Sequence, residues 1–194
     1  MTRPNGLRIA AATESDVLVI LELINSLAAY ERLAHEVSAT PERVRDSLFG
    51  ERAAAEAVIA YLDDEPVGFA VWFQNYSTFL GRAGLYLEDL FVKPERRGEG
   101  IGRQLLAHVA GVAVTRGAGR MEWSVLDWNE PAIGFYRAIG AVPMDGWTVY
   151  RLTGDALEHL AGEEHKRGLN HEGHEDGCNH EGHEGHEEKD HKES

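Results

Sequence analysis

One cysteine, Cys178, stands in 194 residues, so no disulfide can close within the chain and stability has to come from a packed core. Long apolar runs are missing. None approaches the roughly 20 residues a membrane-spanning helix needs, and the opening Met1-Thr-Arg-Pro-Asn-Gly6 has no apolar block of the secretory kind. A soluble, cytoplasmic protein is therefore expected. Basic residues are scarce, 19 Lys and Arg against 33 Asp and Glu, for a net charge of -14. Phosphate backbones recruit surplus positive charge, so this balance argues against a nucleic-acid partner and favours cationic ligands.

What remains is 43% hydrophobic, enough for one domain with a sizeable core. The far end of the chain does not share in it. Residues 163–194 have no aromatic residue and one Leu, with 11 Asp or Glu against 4 Lys or Arg and seven of the ten histidines. Such a composition cannot bury enough apolar surface to offset its ordering entropy, which predicts a folded domain over residues 1–162 and a disordered acidic tail over 163–194. The tail repeats Asn170-His-Glu-Gly-His-Glu as Asn179-His-Glu-Gly-His-Glu. His171, His174, His180, His183 and His186 are candidate ligands for Zn or Ni, because imidazoles three residues apart on a mobile chain can gather around one ion. A solubilising appendage is the competing reading.

Within the domain, Leu7–Ala11 reads as a strand, and Thr13-Glu-Ser-Asp16 as a capped entry into an amphipathic helix reaching about Arg32. Thr40-Pro41 opens a second helix. Three β-rich runs follow, at 57–62, 67–76 and 85–92, the first two joined by Asp63-Asp64-Glu65-Pro66. Apolar residues at 101, 105, 106, 109, 112 and 113 have helical spacing. A strand at 121–126, a helix at 131–139 ended by Gly140, and a last strand at 147–152 complete the order βααβββαβαβ. That order predicts an α/β fold with a mixed, mostly antiparallel sheet flanked by helices.

Val92-Lys-Pro-Glu-Arg-Arg-Gly-Glu-Gly-Ile-Gly-Arg103 places three glycines between a strand end and a helix start. Main-chain N–H groups there can converge on an anion, the helix N-terminus adds partial positive charge, and Arg97 and Arg103 add full ones. A pyrophosphate fits. The loop lacks the Gly-Lys-Ser/Thr of a P-loop, and its G-x-G-x-G spacing after an antiparallel meander is not a dinucleotide fingerprint.

Arg97-Gly-Glu-Gly-Ile-Gly102 resembles the R/Q-x-x-G-x-G/A signature of the GNAT superfamily of N-acetyltransferases. Tyr86-Leu-Glu-Asp-Leu-Phe-Val92 and Asp127-Trp-Asn-Glu-Pro-Ala-Ile-Gly-Phe-Tyr136 resemble segments of its diamine (spermidine/spermine) and thialysine acetyltransferases. The likeness spans roughly residues 5–153. It implies a GNAT fold, acetyl-CoA as co-substrate, a small primary amine as acceptor and a homodimer; the lack of long apolar runs separately predicts no membrane partner. It implies that Arg97, Gly98, Glu99, Gly100, Ile101, Gly102 and Arg103 hold the pyrophosphate. Leu90, Phe91 and Val92 would pair with the pantetheine arm as an added strand does, with Asn129 nearby. By the same resemblance Tyr136 protonates the leaving thiolate and Glu88 holds the ammonium and relays its proton, while Tyr30, Glu31, Glu122, Trp123, Asp145 and Trp147 join Glu88 in the amine site. The residues alone allow less. Glu88 and Asp89 are adjacent on a strand, so pleating predicts that only one looks into a given pocket. Three alternatives stay open: a non-catalytic acetyl-CoA binder, a metal-handling protein, and a protein or peptide acetyltransferase with an open acceptor groove.

Overall fold

The computed structural model describes residues 4–169, with side chains through residue 163. The chain divides into two compact units between Ala138 and Ile139. No helix among the described residues is long and apolar enough to cross a membrane.

The first unit opens with β1 (Leu7–Ala11) and a short 3-10 turn over Glu14–Asp16. Thr13 and Asp16 close a capping box there: Thr13 N donates to Asp16 Oδ2 at 2.8 Å, its hydroxyl at 2.7 Å, and α1 (Val17–Tyr30) follows at once. At α2 (Pro41–Phe49) the Thr40 hydroxyl accepts from Arg43 N, and Pro41 occupies the first turn, where no N–H is needed. The meander comprises β2 (Glu56–Leu62), β3 (Glu65–Ser77) and β4 (Arg82–Val92). Asp63 and Asp64 turn the first hairpin with φ of 51° and 65°, the left-handed pair that a two-residue hairpin loop requires. Then come α3 (Ile101–Thr115), β5 (Met121–Glu122) and α4 (Glu130–Ala138).

The five strands lie in the order β1-β2-β3-β4-β5, antiparallel except for the parallel pair β4–β5. This is the mixed, mostly antiparallel sheet that the element order predicts. One face carries Ala57, Ile59, Phe69, Val71 and Phe91 against Val17, Ile20 and Leu23 of α1 and Val44 of α2. On α3, Ile101, Leu105, Leu106, Val109 and Ala113 are buried at the spacing read from sequence. Full burial of each large aliphatic side chain contributes about 1.5–3 kcal/mol before ordering costs, so the sheet is clamped firmly enough to hold groups at its edge.

Two departures shape the site. Val71 pairs with Asp89 while Trp72 pairs with Leu87, so Glu88 is an extra residue and β4 carries a bulge. And β5, expected over 121–126, pairs only through Leu85↔Met121 and Tyr86↔Glu122. A bulge bends its strand, and immediately past Tyr86 the two strands part. A wedge opens beside the C-terminal half of β4.

In the second unit, the strand expected at 147–152 is absent from the described residues. Trp147, Val149 and Tyr150 are exposed at 72%, 84% and 91%, and no strand pairs with them. β-propensity is local, but a strand needs a partner's N–H and C=O. The unit's regular element is instead α5 (Gly154–Leu169), which runs past Glu163, where the tail is read to begin. Residues 170–194, with the candidate metal-ligating histidines, lie outside the described residues. Among the described residues no three His, Cys, Asp or Glu side chains are grouped to hold a metal ion.

Candidate active site

β4 leads through a 3-10 turn at Pro94–Arg96 into the glycine loop and α3. Gly98 and Gly100 have φ of +83° and +81°, which side-chain-bearing residues adopt only with strain. Gly100 is the N-cap of α3, and no side chain caps the helix. The first intrahelical bond is Gln104 N to Gly100 O at 3.1 Å, so the N–H groups of the first turn are left to face outward. A Cβ on Gly98 or Gly100 would meet nothing within 4 Å. Backbone conformation, free donors and open space together make an anion cradle.

The wedge holds a cavity of about 450 Å³. Leu87, Glu88, Asp89, Leu90, Phe91 and Val92 form one wall, Trp123, Ser124 and Val125 the facing one, and the glycine loop closes an end. On the cavity side, β4 beyond Tyr86 has no strand partner among the described residues, which leaves that edge open to an extended, amide-bearing ligand. Across the cavity Tyr136 of α4 packs its ring on Trp123 at 5.0 Å and on Phe135 at 5.3 Å. Burial, with the negative charge of Glu31 added, pushes its phenol up to about 12. It stays protonated at any physiological pH and can serve as a donor.

The sequence and the fold are both shared with known proteins. The acetyltransferase (GNAT) family model matches residues 21–141. The chain belongs to the GNAT family.

Bovine thialysine N-epsilon-acetyltransferase is 39% identical over 166 residues, covering 80% of this chain and 97% of that protein. L-ornithine N5-acetyltransferase of Arabidopsis thaliana is 33% identical over 198 residues, covering 79% of this chain and 87% of its own. Among solved structures, an integron cassette protein from the V. cholerae mobile metagenome superposes with a TM-score of 0.69 at 27% identity, covering 81% of this chain and 99% of that one. This GNAT protein is thus an N-acetyltransferase, and its family draws the acetyl group from acetyl-CoA. The open cradle above Gly98 and Gly100 and the unpaired β4 edge fit a pyrophosphate and the amide arm of such a donor.

In this GNAT site several residues read from sequence have other partners. Arg97 Nε donates to Val92 O at 3.1 Å, and its guanidinium lies 3.9 Å from the centre of the Tyr30 ring, bracing the loop against the end of α1. Tyr30 in turn donates its hydroxyl to Asn129 Oδ1 at 3.2 Å. That same oxygen accepts from Ala132 N at 3.4 Å, so buried Asn129 caps α4 as well as lining the cavity. Glu99 is exposed and pairs with Arg96 at 4.0 Å, outside the lining. Gly102, Ile101 and Arg103 line the cavity. Glu122 lies outside the lining; its carboxylate accepts from Arg120 Nε at 2.8 Å and Asn75 Nδ2 at 3.0 Å. Asp145 and Trp147 belong to the second unit, where both are exposed.

The acidic residues hold the main surprise. Strict pleating would send Glu88 and Asp89 to opposite faces; the extra residue interrupts the alternation there, and both residues line the one cavity along with the rest of 87–92. Burial, then the charges of Glu88 and Glu31, push the Asp89 carboxyl up to about 6, and burial raises Glu31 above the usual range. Asp89 is a cavity residue that the sequence does not single out. Its signal was the Leu-Glu-Asp run itself, where the bulge sits.

Proposed function

We propose that this enzyme transfers the acetyl group of acetyl-CoA to the side-chain amine of a small amino acid such as thialysine, ornithine or lysine, with short diamines as secondary acceptors. One observation carries the reading: the unpaired β4 edge and the anion cradle lead into the same cavity as Glu31, Glu88, Asp89 and the Tyr136 hydroxyl. An alkyl amine with a pKa of about 10.4 is almost wholly protonated at neutral pH and cannot attack until a proton leaves. Carboxylates at the wall attract that ammonium. Glu88, exposed at the bulge, holds it and starts its proton on the way out, while the half-buried Tyr136 offers its hydroxyl proton to the departing sulfur. The bound donor supplies an activated acetyl carbonyl; orientation, exclusion of water and proton handling fall to the residues named. The identity to proteins named for thialysine and ornithine supports an amino-acid acceptor over a long polyamine.

Thiol release from acetyl-CoA, followed across thialysine, ornithine, lysine, spermidine, an aminoglycoside and a lysine peptide, tests this. The largest kcat/KM is expected among the first three. Preference for the peptide would move the protein to the protein-acetylating reading, and no release with any amine would leave it an acetyl-CoA binder.

The histidine repeat of residues 170–184 supports a second, separate property: modest binding of Zn or Ni, lost as the imidazoles protonate near pH 6. The exposed apolar stretch at 147–152 supports a homodimer. Equilibrium dialysis and light scattering on the full chain and on a version ending at Leu169 address both. The truncation should lose metal uptake and keep the dimer mass and kcat/KM; unchanged uptake, or a monomer mass for the full chain, would count against these assignments.

A further inference from the structure

A second cavity of about 340 Å³ lies between α1, α2 and the sheet, lined by apolar Ile20, Ile24, Val44, Leu48 and Val71, with exposed Ser38, Arg43 and Ser47 towards solvent. Asp89 lines it too. Of the carboxylates in the active-site cavity, Glu88 and Glu31 are absent from the second lining, so Asp89 alone is common to both. Its register explains this: it pairs with Val71, whose side chain belongs to the α1 and α2 core, while the neighbouring bulge turns the strand edge into the wedge.

We infer that Asp89 is the terminal proton acceptor for the substrate amine, and that the second cavity is the route by which the proton reaches solvent. The inference rests on the acetyl-transfer reading and deepens it. The ammonium held at Glu88 breaks one N–H bond; the electron pair stays on nitrogen, making it the nucleophile, and the proton passes to an Asp89 carboxylate oxygen. Asp89, now a carboxylic acid, returns the proton to water at the mouth formed by Ser38 and Ser47, and is a carboxylate again for the next turnover. No oxidant or further reactant is needed.

The electrostatics favour this division of labour. Glu88 on the same strand, Glu31 at the end of α1, Tyr136 of α4 and Arg96, Arg97 and Arg103 of the glycine loop line the first cavity with Asp89, and Arg43 of α2 lines the second; of these, the charges of Glu88 and Glu31 act on the Asp89 carboxyl. Burial and the two glutamates bring Asp89 to about 6. Against an ordinary carboxyl near 3.9, that makes it about a hundredfold the stronger base, yet still mostly ionised at pH 7.5. The sign is that of an acid whose neutral form is favoured, so the active form is lost as pH falls through about 6.

Three readouts test the relay. Carbon NMR of the Asp89 carboxyl should show titration near 6 in the wild-type protein without ligands, falling toward the ordinary range in Glu88→Gln. In turnover, Asp89→Asn should lower kcat/KM for thialysine about a hundredfold and abolish the acidic limb near pH 6, with acetyl-CoA affinity unchanged. Glu88→Gln should chiefly raise KM for the amine and keep an acidic limb, displaced downward. Ala39→Leu, which narrows the second cavity from a half-buried position, should lower kcat several-fold at constant KM. Titration of Asp89 near 4, or a limb near 6 that survives Asp89→Asn, overturns the relay while acetyl transfer stands. An unchanged kcat in Ala39→Leu overturns the exit route. A wild-type protein that releases no thiol with any amine fails the acetyl-transfer reading and the relay with it.

Discussion

Tyr136→Phe should lower kcat by about 10²–10⁴-fold, the usual contribution of a general acid, and leave acetyl-CoA affinity nearly unchanged. The ring is held by Trp123 and Phe135, and Phe keeps those contacts, so the variant removes one hydroxyl and little else. With its phenol near 12 against about 8.5 for a free thiol, complete transfer to a thiolate is disfavoured by more than a thousandfold. In the proposed role the hydroxyl acts while the carbon–sulfur bond is breaking, as a hydrogen bond that strengthens with the developing charge. That predicts a solvent isotope effect on kcat in the wild type that is lost in the variant. It also predicts that no alkaline limb below pH 10 belongs to Tyr136. Wild-type turnover in Tyr136→Phe, measured at saturating amine, would refute the role.

Gly100→Asp should weaken acetyl-CoA binding in calorimetry by about a hundredfold or more, because it plants a carboxylate where the first turn of α3 offers its N–H groups to a pyrophosphate. The fold should tolerate it. A left-handed residue costs about 1–2 kcal/mol, less for Asp than for most, and a negative charge at a helix N-terminus returns about 0.3–1 kcal/mol. The space around that Cβ is open, so nothing needs to move. The melting temperature should therefore shift by only a few degrees while binding collapses. Gly100→Ala carries the strain without the charge and should lose far less affinity. Equal loss in both would assign the effect to backbone geometry; full affinity in Gly100→Asp would remove the cradle from the donor site altogether.

The glycine loop, the two capped helices, the Asp63-Asp64 hairpin and the buried stripe of α3 were legible in the sequence, because each rests on interactions within a few residues: a required φ, an unsatisfied N–H, a helical period. The family was legible for the same reason, since its signature lies in one loop and its flanking segments. Where Arg97 points was not: its resting partners, Val92 O and the Tyr30 ring, come from a strand end and a helix end, the latter 67 positions away in the chain. Nor was the pairing of Glu88 with Asp89 in one cavity, since a bulge exists only relative to the strand beside it, and Val71 and Trp72 of β3 are what make Glu88 the extra residue. The strand expected at 147–152 failed for the converse reason, having β-propensity without a partner among the described residues. Chain-local chemistry named the family and the glycine loop proposed to hold the donor. The proton chemistry of Asp89 and Tyr136 was decided by tertiary structure, because a pKa answers to burial and to every charge within reach, and the charge of Glu31 reaches both from far earlier in the chain.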